Sequence, residues 1–352
     1  MKNILFINFI CLLLISCLSP KYEKNQSIFQ ADTENQTNDF YDNAKTNKLP
    51  IQALKIDGEI ENPGTIDFSN LPLRSIIVKE TILGKDGKEF LGAYRYDGYS
   101  LHDILNLFKI NKKNKKEFKP IIDLYLEIEN DKGEIVKISW GEIFLSNHLN
   151  EIIIASQVMR IKPTKTDDLW PLPNQAKLII SSDLVTERNI LNPTKITVKS
   201  YPKSFVTVKG LRPLYSPTLD VYTENKLVET LTENPTEMQV ETFNTTFYGQ
   251  GRGIHSLAPF KGVLLKNVLE KHVVFNKKNI REGLFLIVAK DGFRGVYTYS
   301  EIMNRDDQSE IMLMCYPEAK DNGIFRVFPS SDFFSDRAIK GITGIYFSAN
   351  EQ

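Results

Sequence analysis

A glycine-rich stretch in the last third of the chain carries the clearest potential for ligand binding. It reads Tyr-Gly-Gln-Gly-Arg-Gly-Ile-His over residues 248–255. Alternate glycines let a backbone approach a ligand closely and present N–H groups to an anion. The side chains of Arg252 and His255 suit a phosphate or carboxylate. A flexible turn is the alternative, because glycines also mark turns and this spacing does not match a dinucleotide-binding fingerprint.

No other residues form a recognised catalytic or metal-binding pattern. The histidines have no carboxylate or thiol neighbours at metal-ligand spacing; they are His102, His148, His255 and His272. No serine lies in the context of a nucleophile elbow. The sequence therefore predicts no metal ligand and no catalytic residue.

Cys17 lies at the end of an apolar run near the N-terminus, a position typical of a cysteine that carries lipid. Lys2 is followed by a short apolar run that ends in Leu14-Ile15-Ser16-Cys17, the order of a signal peptide too short to span a bilayer. The last four residues resemble the lipobox of bacterial lipoproteins, which implies a signal peptide over 1–16 and lipid on Cys17. An ordinary secretory signal is the alternative. Leu18 after the cysteine favours the outer membrane over other envelope locations.

Residues 17–49 are predicted to be a lipidated, flexible tether, because this polar stretch has too little apolar surface to offset the entropy of ordering it.

Basic and acidic side chains balance at 44 each, so a nucleic-acid partner is not expected. After removal of the signal only Cys17 and Cys315 remain, and with Cys17 acylated no intrachain disulfide can form.

The chain contains an internal repeat. Residues 181–198 align with residues 330–347, sharing Ser-Ser-Asp and then Arg188 with Arg337. Upstream, residues 150–157 align with 309–316 and residues 96–105 with 260–269. We predict two related domains, over 50–200 and 203–350. Because both arginines recur, we expect them to be structural and to pair with the aspartates of the Ser-Ser-Asp motifs.

Each repeat is predicted to mix strands and helices. A helix is expected to start at Ser100, because Ser100 is a good N-cap and the apolar residues that follow recur on one helical face. Buried strands are expected at residues 124–128 and 152–155 and, in the second copy, at residues 284–289 and 311–314. The last strands are predicted at 195–199 and 344–348.

The order of these signals resembles the oxidoreductase molybdopterin-binding domain of the sulfite oxidase type. The matching signals of the first copy are Gly58 with Pro63, Tyr96-Asp97-Gly98 with Leu101, and Lys177 with Arg188. Those of the second copy are Gly210, Phe260-Lys261-Gly262, Lys290-Asp291-Gly292, Arg326 to Pro329 and Arg337. The resemblance implies an α+β fold, here as two tandem mixed α/β domains.

One departure from the family decides the expected function. Family enzymes hold molybdenum through a cysteine shortly before the aromatic-x-Gly helix, and neither residues 81–84 nor residues 245–248 contain one. Cys315 aligns with Ser156 instead, within an apolar run. We therefore expect a non-catalytic envelope lipoprotein that binds a small anionic ligand or another envelope protein, with no cofactor. The alternative is a molybdopterin-dependent or other cofactor-using oxidoreductase with its pocket in the second copy.

In both cases the second copy holds the site. The candidate ligand-binding residues are Tyr248, Gly249, Gly251, Arg252, Gly253, His255 and Arg326.

Overall fold

The first half of the chain, up to residue 200, is built mainly from strands. A computed structural model describes residues 44–163, 166 and 169–350, so the predicted signal peptide, Cys17 and most of the predicted tether lie outside the described residues. The elements are β1 (Asn47–Lys48), β2 (Lys55–Gly58), β3 (Ile60–Glu61), β4 (Gly64–Thr65), β5 (Arg74–Gly84), β6 (Gly87–Ser100), α1 (Leu101–Leu105), β7 (Lys109–Ile110), β8 (Leu124–Asn130), β9 (Ile135–Ser139), α2 (Trp140–Phe144), β10 (Ile152–Arg160), β11 (Lys177–Ile180) and β12 (Pro193–Ser200).

The second half, from residue 203, repeats this pattern with one additional hairpin and one additional helix. Its elements are β13 (Leu219–Thr223), β14 (Lys226–Leu231), β15 (Glu241–Phe243), β16 (Phe247–Gly249), β17 (Gly253–Ser256), β18 (Phe260–Leu264), α3 (Leu265–Leu269), α4 (Lys277–Glu282), β19 (Leu284–Ala289), β20 (Arg294–Thr298), α5 (Tyr299–Met303), β21 (Ile311–Cys315), β22 (Phe325–Pro329) and β23 (Ile342–Ser348). Two 3-10 turns, Lys320–Asn322 and Ser335–Arg337, flank β22.

The two halves share their strand order. One sheet of the first half runs β4-β2-β12-β8-β9, and its counterpart in the second half runs β14-β13-β23-β19-β20. In both, the third strand is parallel to the second and antiparallel to the fourth. The other sheets run β5-β6-β10 with β11 beside β10, and β15-β18-β21-β22. Residues that align in the internal repeat therefore occupy matching positions in the sheets of the two halves.

The expected α+β class is wrong, because the protein is mostly β, with 43% strand and 10% helix. Its four main sheets form an arrangement like that of a four-bladed β-propeller, although the parallel pairs β2–β12 and β13–β23 are absent from a simple antiparallel blade. The helices that the periodicity predicted exist but are short. Ser100 caps α1 through the backbone N–H of Asp103, yet α1 ends at Leu105.

The predicted buried strands agree with β8, β10, β19 and β21, and the predicted last strands with β12 and β23. Each half has one large core to which these strands contribute, and other apolar residues of the same strands pack into smaller clusters. Strand β1 pairs with β10, and Leu49 is buried. The last residues of the predicted tether therefore belong to the fold.

Candidate functional site

A cavity of about 240 Å³ lies in the second half, between the sheet that contains β21 and β22 and the β16–β17 hairpin. Its walls are aromatic and apolar, and its charged groups are all basic. The lining residues are Phe247, His255, Ser256, Phe260, Met314, Tyr316, Arg326, Val327, Phe328, Ala338 and Lys340. No carboxylate of the described residues lines this cavity, which we call the aromatic pocket.

Arg326 is the central cation of the aromatic pocket. Its guanidinium lies over the ring of Tyr316, 4.8 Å from the ring centroid. Within the described part of the chain the guanidinium makes no ion pair, and its Nε is buried without a hydrogen-bond partner. Burial lowers the pKa of Arg326 from its ordinary value. A buried donor without a partner is costly, so this guanidinium is suited to receive an anion.

Two further cations act on the same region. Lys340 is the backbone partner of Arg326 in an antiparallel bridge, and its side chain lines the aromatic pocket. Burial lowers the pKa of Lys340, and the positive charges of Arg326 and Arg252 lower it further. The three groups therefore repel one another, and an anionic ligand would relieve that repulsion.

Aromatic rings make the apolar wall. Phe260 lies edge-on to Phe328 at 4.7 Å and to Phe247 at 5.1 Å between ring centroids. These separations are within the range of favourable edge-to-face aromatic pairs. Phe247 also contacts the ring of His255 at 5.4 Å. The wall can therefore hold an apolar group next to the cations.

The first half has a cation at the position equivalent to Arg326, but a carboxylate neutralises it. Lys177 in β11 pairs with Ala155 of β10 as Arg326 in β22 pairs with Met314 of β21. The Nζ of Lys177 lies 2.6 Å from Glu80 Oε2. The hydroxyl of Tyr96 donates to the other oxygen of Glu80 at 3.0 Å. The first half therefore neutralises its cation internally, and the second half does not.

The structure brings together only part of the predicted site. Arg326 and His255 both line the aromatic pocket. Gly249 is buried close to His255, since a Cβ there would lie 2.4 Å from the imidazole Nε2. Gly251 and Arg252 lie in the turn between β16 and β17 and are exposed, and Gly253 is the first residue of β17 and pairs with Gly249.

Tyr248 lies on the other face of the hairpin, 40% exposed, beside Phe333. Sequence reasoning missed Lys340, Tyr316 and the aromatic wall. The signal for Met314, Tyr316 and Phe328 was the alternation of large residues along β21 and β22, which period-two patterning assigns to one face. Lys340, Phe247 and Phe260 lie outside these two strands.

Arg188 has the structural role that its recurrence predicted. Its side chain is fully buried, and its Nε and Nη2 donate to Asp183 at 2.8 and 2.6 Å. Its Nη2 also lies 2.5 Å from Glu142 Oε1. Its Nη1 reaches Thr298 Oγ1 of the second half at 3.3 Å. Arg188 therefore ties the two halves together.

Arg337 makes the equivalent contacts in the opposite direction. It donates to Asp332 at 2.8 and 2.7 Å and pairs with Glu301 at 2.7 Å. Its Nη1 donates to Ser139 Oγ of the first half at 3.0 Å. Ser139 and Thr298 are the N-caps of α2 and α5, and both helices begin with capping boxes. This paired network joins the two halves through side chains that are buried in both.

The residues around the aromatic pocket do not fit molybdenum. Enzymes of the sulfite oxidase type hold the metal through a soft thiolate, but Cys315 packs against the core while its neighbours Met314 and Tyr316 line the pocket. Burial also raises the pKa of the Cys315 thiol and so disfavours the thiolate. Among the described residues no group of three or more His, Cys, Asp or Glu side chains could hold a metal ion.

No family model matches this chain, and no curated protein is significantly similar to it. Within the described ranges no helix is long and apolar enough to cross a membrane.

Proposed function

We propose that the protein is a lipid-anchored protein of the bacterial cell envelope whose second half binds a small anionic ligand without transforming it. The observation that carries the binding proposal is the contrast between the halves. Glu80 neutralises Lys177 in the first half, whereas Arg326 faces an aromatic pocket without a carboxylate. The sequence around Cys17 supports the lipid anchor.

Titration calorimetry with benzoate and with inorganic phosphate tests the binding proposal. Hydrogen bonds to a charged group contribute about 1.5–3 kcal/mol, so Arg326→Gln is expected to weaken binding by about 10–100-fold. The matched control is Arg74→Gln, because Arg74 pairs with Asp103 at the surface of the first half. Equal affinities for native protein and Arg326→Gln, or no binding of either anion, would contradict the proposal.

The non-catalytic part of the proposal has its own test. Protein purified from its native host is expected to contain neither molybdenum nor a fluorescent pterin in stoichiometric amounts. Either one at one equivalent per chain would overturn this part and favour a cofactor-using oxidoreductase.

Lipidation is tested by fractionating cells that express the full chain. The wild-type protein is expected in the membrane fraction with incorporated fatty acid, and Cys17→Ser in the soluble fraction without it. Cys11→Ser is the matched control, because Cys11 lies within the predicted signal peptide. An unchanged distribution of Cys17→Ser would refute the anchor.

A further inference from the structure

The β16–β17 hairpin has two chemically different faces. Phe247, His255 and Ser256 line the aromatic pocket, whereas Tyr248 and Ile254 do not. A register shift between Phe247 and Tyr248 lets two adjacent residues of β17, His255 and Ser256, both reach the pocket. Tyr248 and Ile254 are cross-strand partners and therefore share one face. They are 40% and 56% exposed. The outer face of the hairpin is thus apolar and accessible.

Exposed apolar residues extend this face on both sides. Leu257, directly after β17, is 73% exposed, and Phe333 is 55% exposed. The ring centroids of Phe333 and Tyr248 are 5.9 Å apart. We call Tyr248, Ile254, Leu257 and Phe333 the outer patch. Large apolar side chains clustered in this way on a soluble surface usually mark an interaction site.

The hairpin side of the outer patch carries basic groups, whereas beside Phe333 the carboxylate of Asp332 pairs with Arg337 and Asp336 is partly exposed. Residues 244–261 contain Arg252, His255 and Lys261 and no aspartate or glutamate. Arg252 is exposed at the tip of the hairpin. Basic groups next to exposed aromatic and aliphatic side chains match an anionic membrane interface, where apolar groups enter the acyl boundary and cations meet the headgroups.

The β16–β17 hairpin is also separate from the larger sheets. Strands β16 and β17 form their own two-stranded ribbon. In the first half, by contrast, β5 continues to Gly84 and pairs with β6 along its whole length. Ile82 and Leu83 there are only partly exposed, and Leu83 packs against the core of the second half. The exposed patch therefore belongs to the second half alone.

We propose that the outer patch docks on an anionic lipid surface. The chain before the described residues is long enough to permit this, because 26 residues separate Cys17 from residue 44. Lipid on Cys17 would raise the local concentration of the membrane, and the patch would orient the folded body on it.

Vesicle sedimentation with the unlipidated mature chain from Leu18 tests the docking apart from the anchor. Binding is expected to vesicles with one third phosphatidylglycerol and to be weak on pure phosphatidylcholine. Leu257→Ser is expected to lower the partition coefficient on anionic vesicles about tenfold. Leu169→Ser is the matched control, since Leu169 is 65% exposed in the first half. Arg252→Gln is expected to reduce binding about fivefold on anionic vesicles only.

Equal binding by the Leu257→Ser and Leu169→Ser variants would overturn the proposal, and so would the absence of vesicle binding by the wild-type chain. Self-association that Leu257→Ser abolishes, measured by analytical ultracentrifugation without lipid, would also overturn it and assign the patch to a second copy of the chain. Because the assay uses an unlipidated chain and no pocket ligand, its failure leaves the lipid anchor and the anion site unaffected.

Discussion

Removal of the Arg188 guanidinium is expected to be among the most destabilising single changes of charge in the described part of this protein. Arg188 is fully buried, and its carboxylate partners Glu142 and Asp183 have side chains only 5% and 2% exposed. Arg188→Gln therefore leaves two carboxylates in a dry interior without their counter-ion. Such changes cost about 3–5 kcal/mol. This is at least about a fifth of the total of about 5–15 kcal/mol typical of natural proteins.

Urea unfolding followed by circular dichroism measures this cost. Arg188→Gln is expected to lower the unfolding midpoint with little change in slope. The control is Arg74→Gln, because the Arg74 side chain is 38% exposed and its ion pair with Asp103 should contribute less than about 1 kcal/mol. The double variant Arg188→Gln/Asp183→Asn should recover part of the loss, since it removes one of the stranded charges. A single-variant cost below about 1 kcal/mol would refute this account of the network.

Two further predictions concern neighbouring parts of the fold. Gly141→Ala places a Cβ 2.2 Å from the guanidinium carbon of Arg337, so it should lower the free energy of unfolding by about 1–3 kcal/mol. The control Gly251→Ala meets open space and should change this free energy by less than about 0.5 kcal/mol. Equal effects of the two variants would contradict the close packing at Gly141. Burial alone would raise the pKa of Asp307, but hydrogen bonds and charge from Arg305 lower it below its ordinary 3.8. The ionised Asp307 carboxylate therefore stabilises the fold at neutral pH, and this stabilisation is lost as pH falls below about 4. Asp307→Asn should make the free energy of unfolding depend less steeply on pH in that range. An unchanged pH dependence would show that the pair of Arg305 and Asp307 does not contribute.

Much of the local structure could be predicted from the internal repeat, but the class of the fold could not. Runs such as residues 284–289 are apolar, β-branched and bounded by turn residues, and β19 occupies those residues. The predicted helix after Ser100 has a true N-cap but ends after five residues. Periodicity indicates which face is buried and not how far the helix continues, because the sheets on either side decide where the chain must turn.

The site was predictable only in part, for a related reason. Arg326 and His255 were proposed from the sequence, and both line the aromatic pocket. Lys340 was not, because its role depends on an antiparallel bridge to Arg326 that joins residues on either side of a turn. Arg188 and Arg337 were assigned correctly because their recurrence, together with a nearby aspartate in each copy, is visible in one dimension.

The difference between the halves follows from one change in strand length. Strand β5 runs through Glu80 to Gly84 and thereby carries a carboxylate to Lys177. Its counterpart β15 ends at Phe243, and the chain continues into the separate β16–β17 ribbon. That ribbon contributes phenylalanine and histidine side chains to the aromatic pocket but no acidic group. The same interruption therefore leaves Arg326 without a carboxylate partner among the described residues and produces the exposed hairpin, so the proposed anion site and the proposed docking surface would have one structural origin.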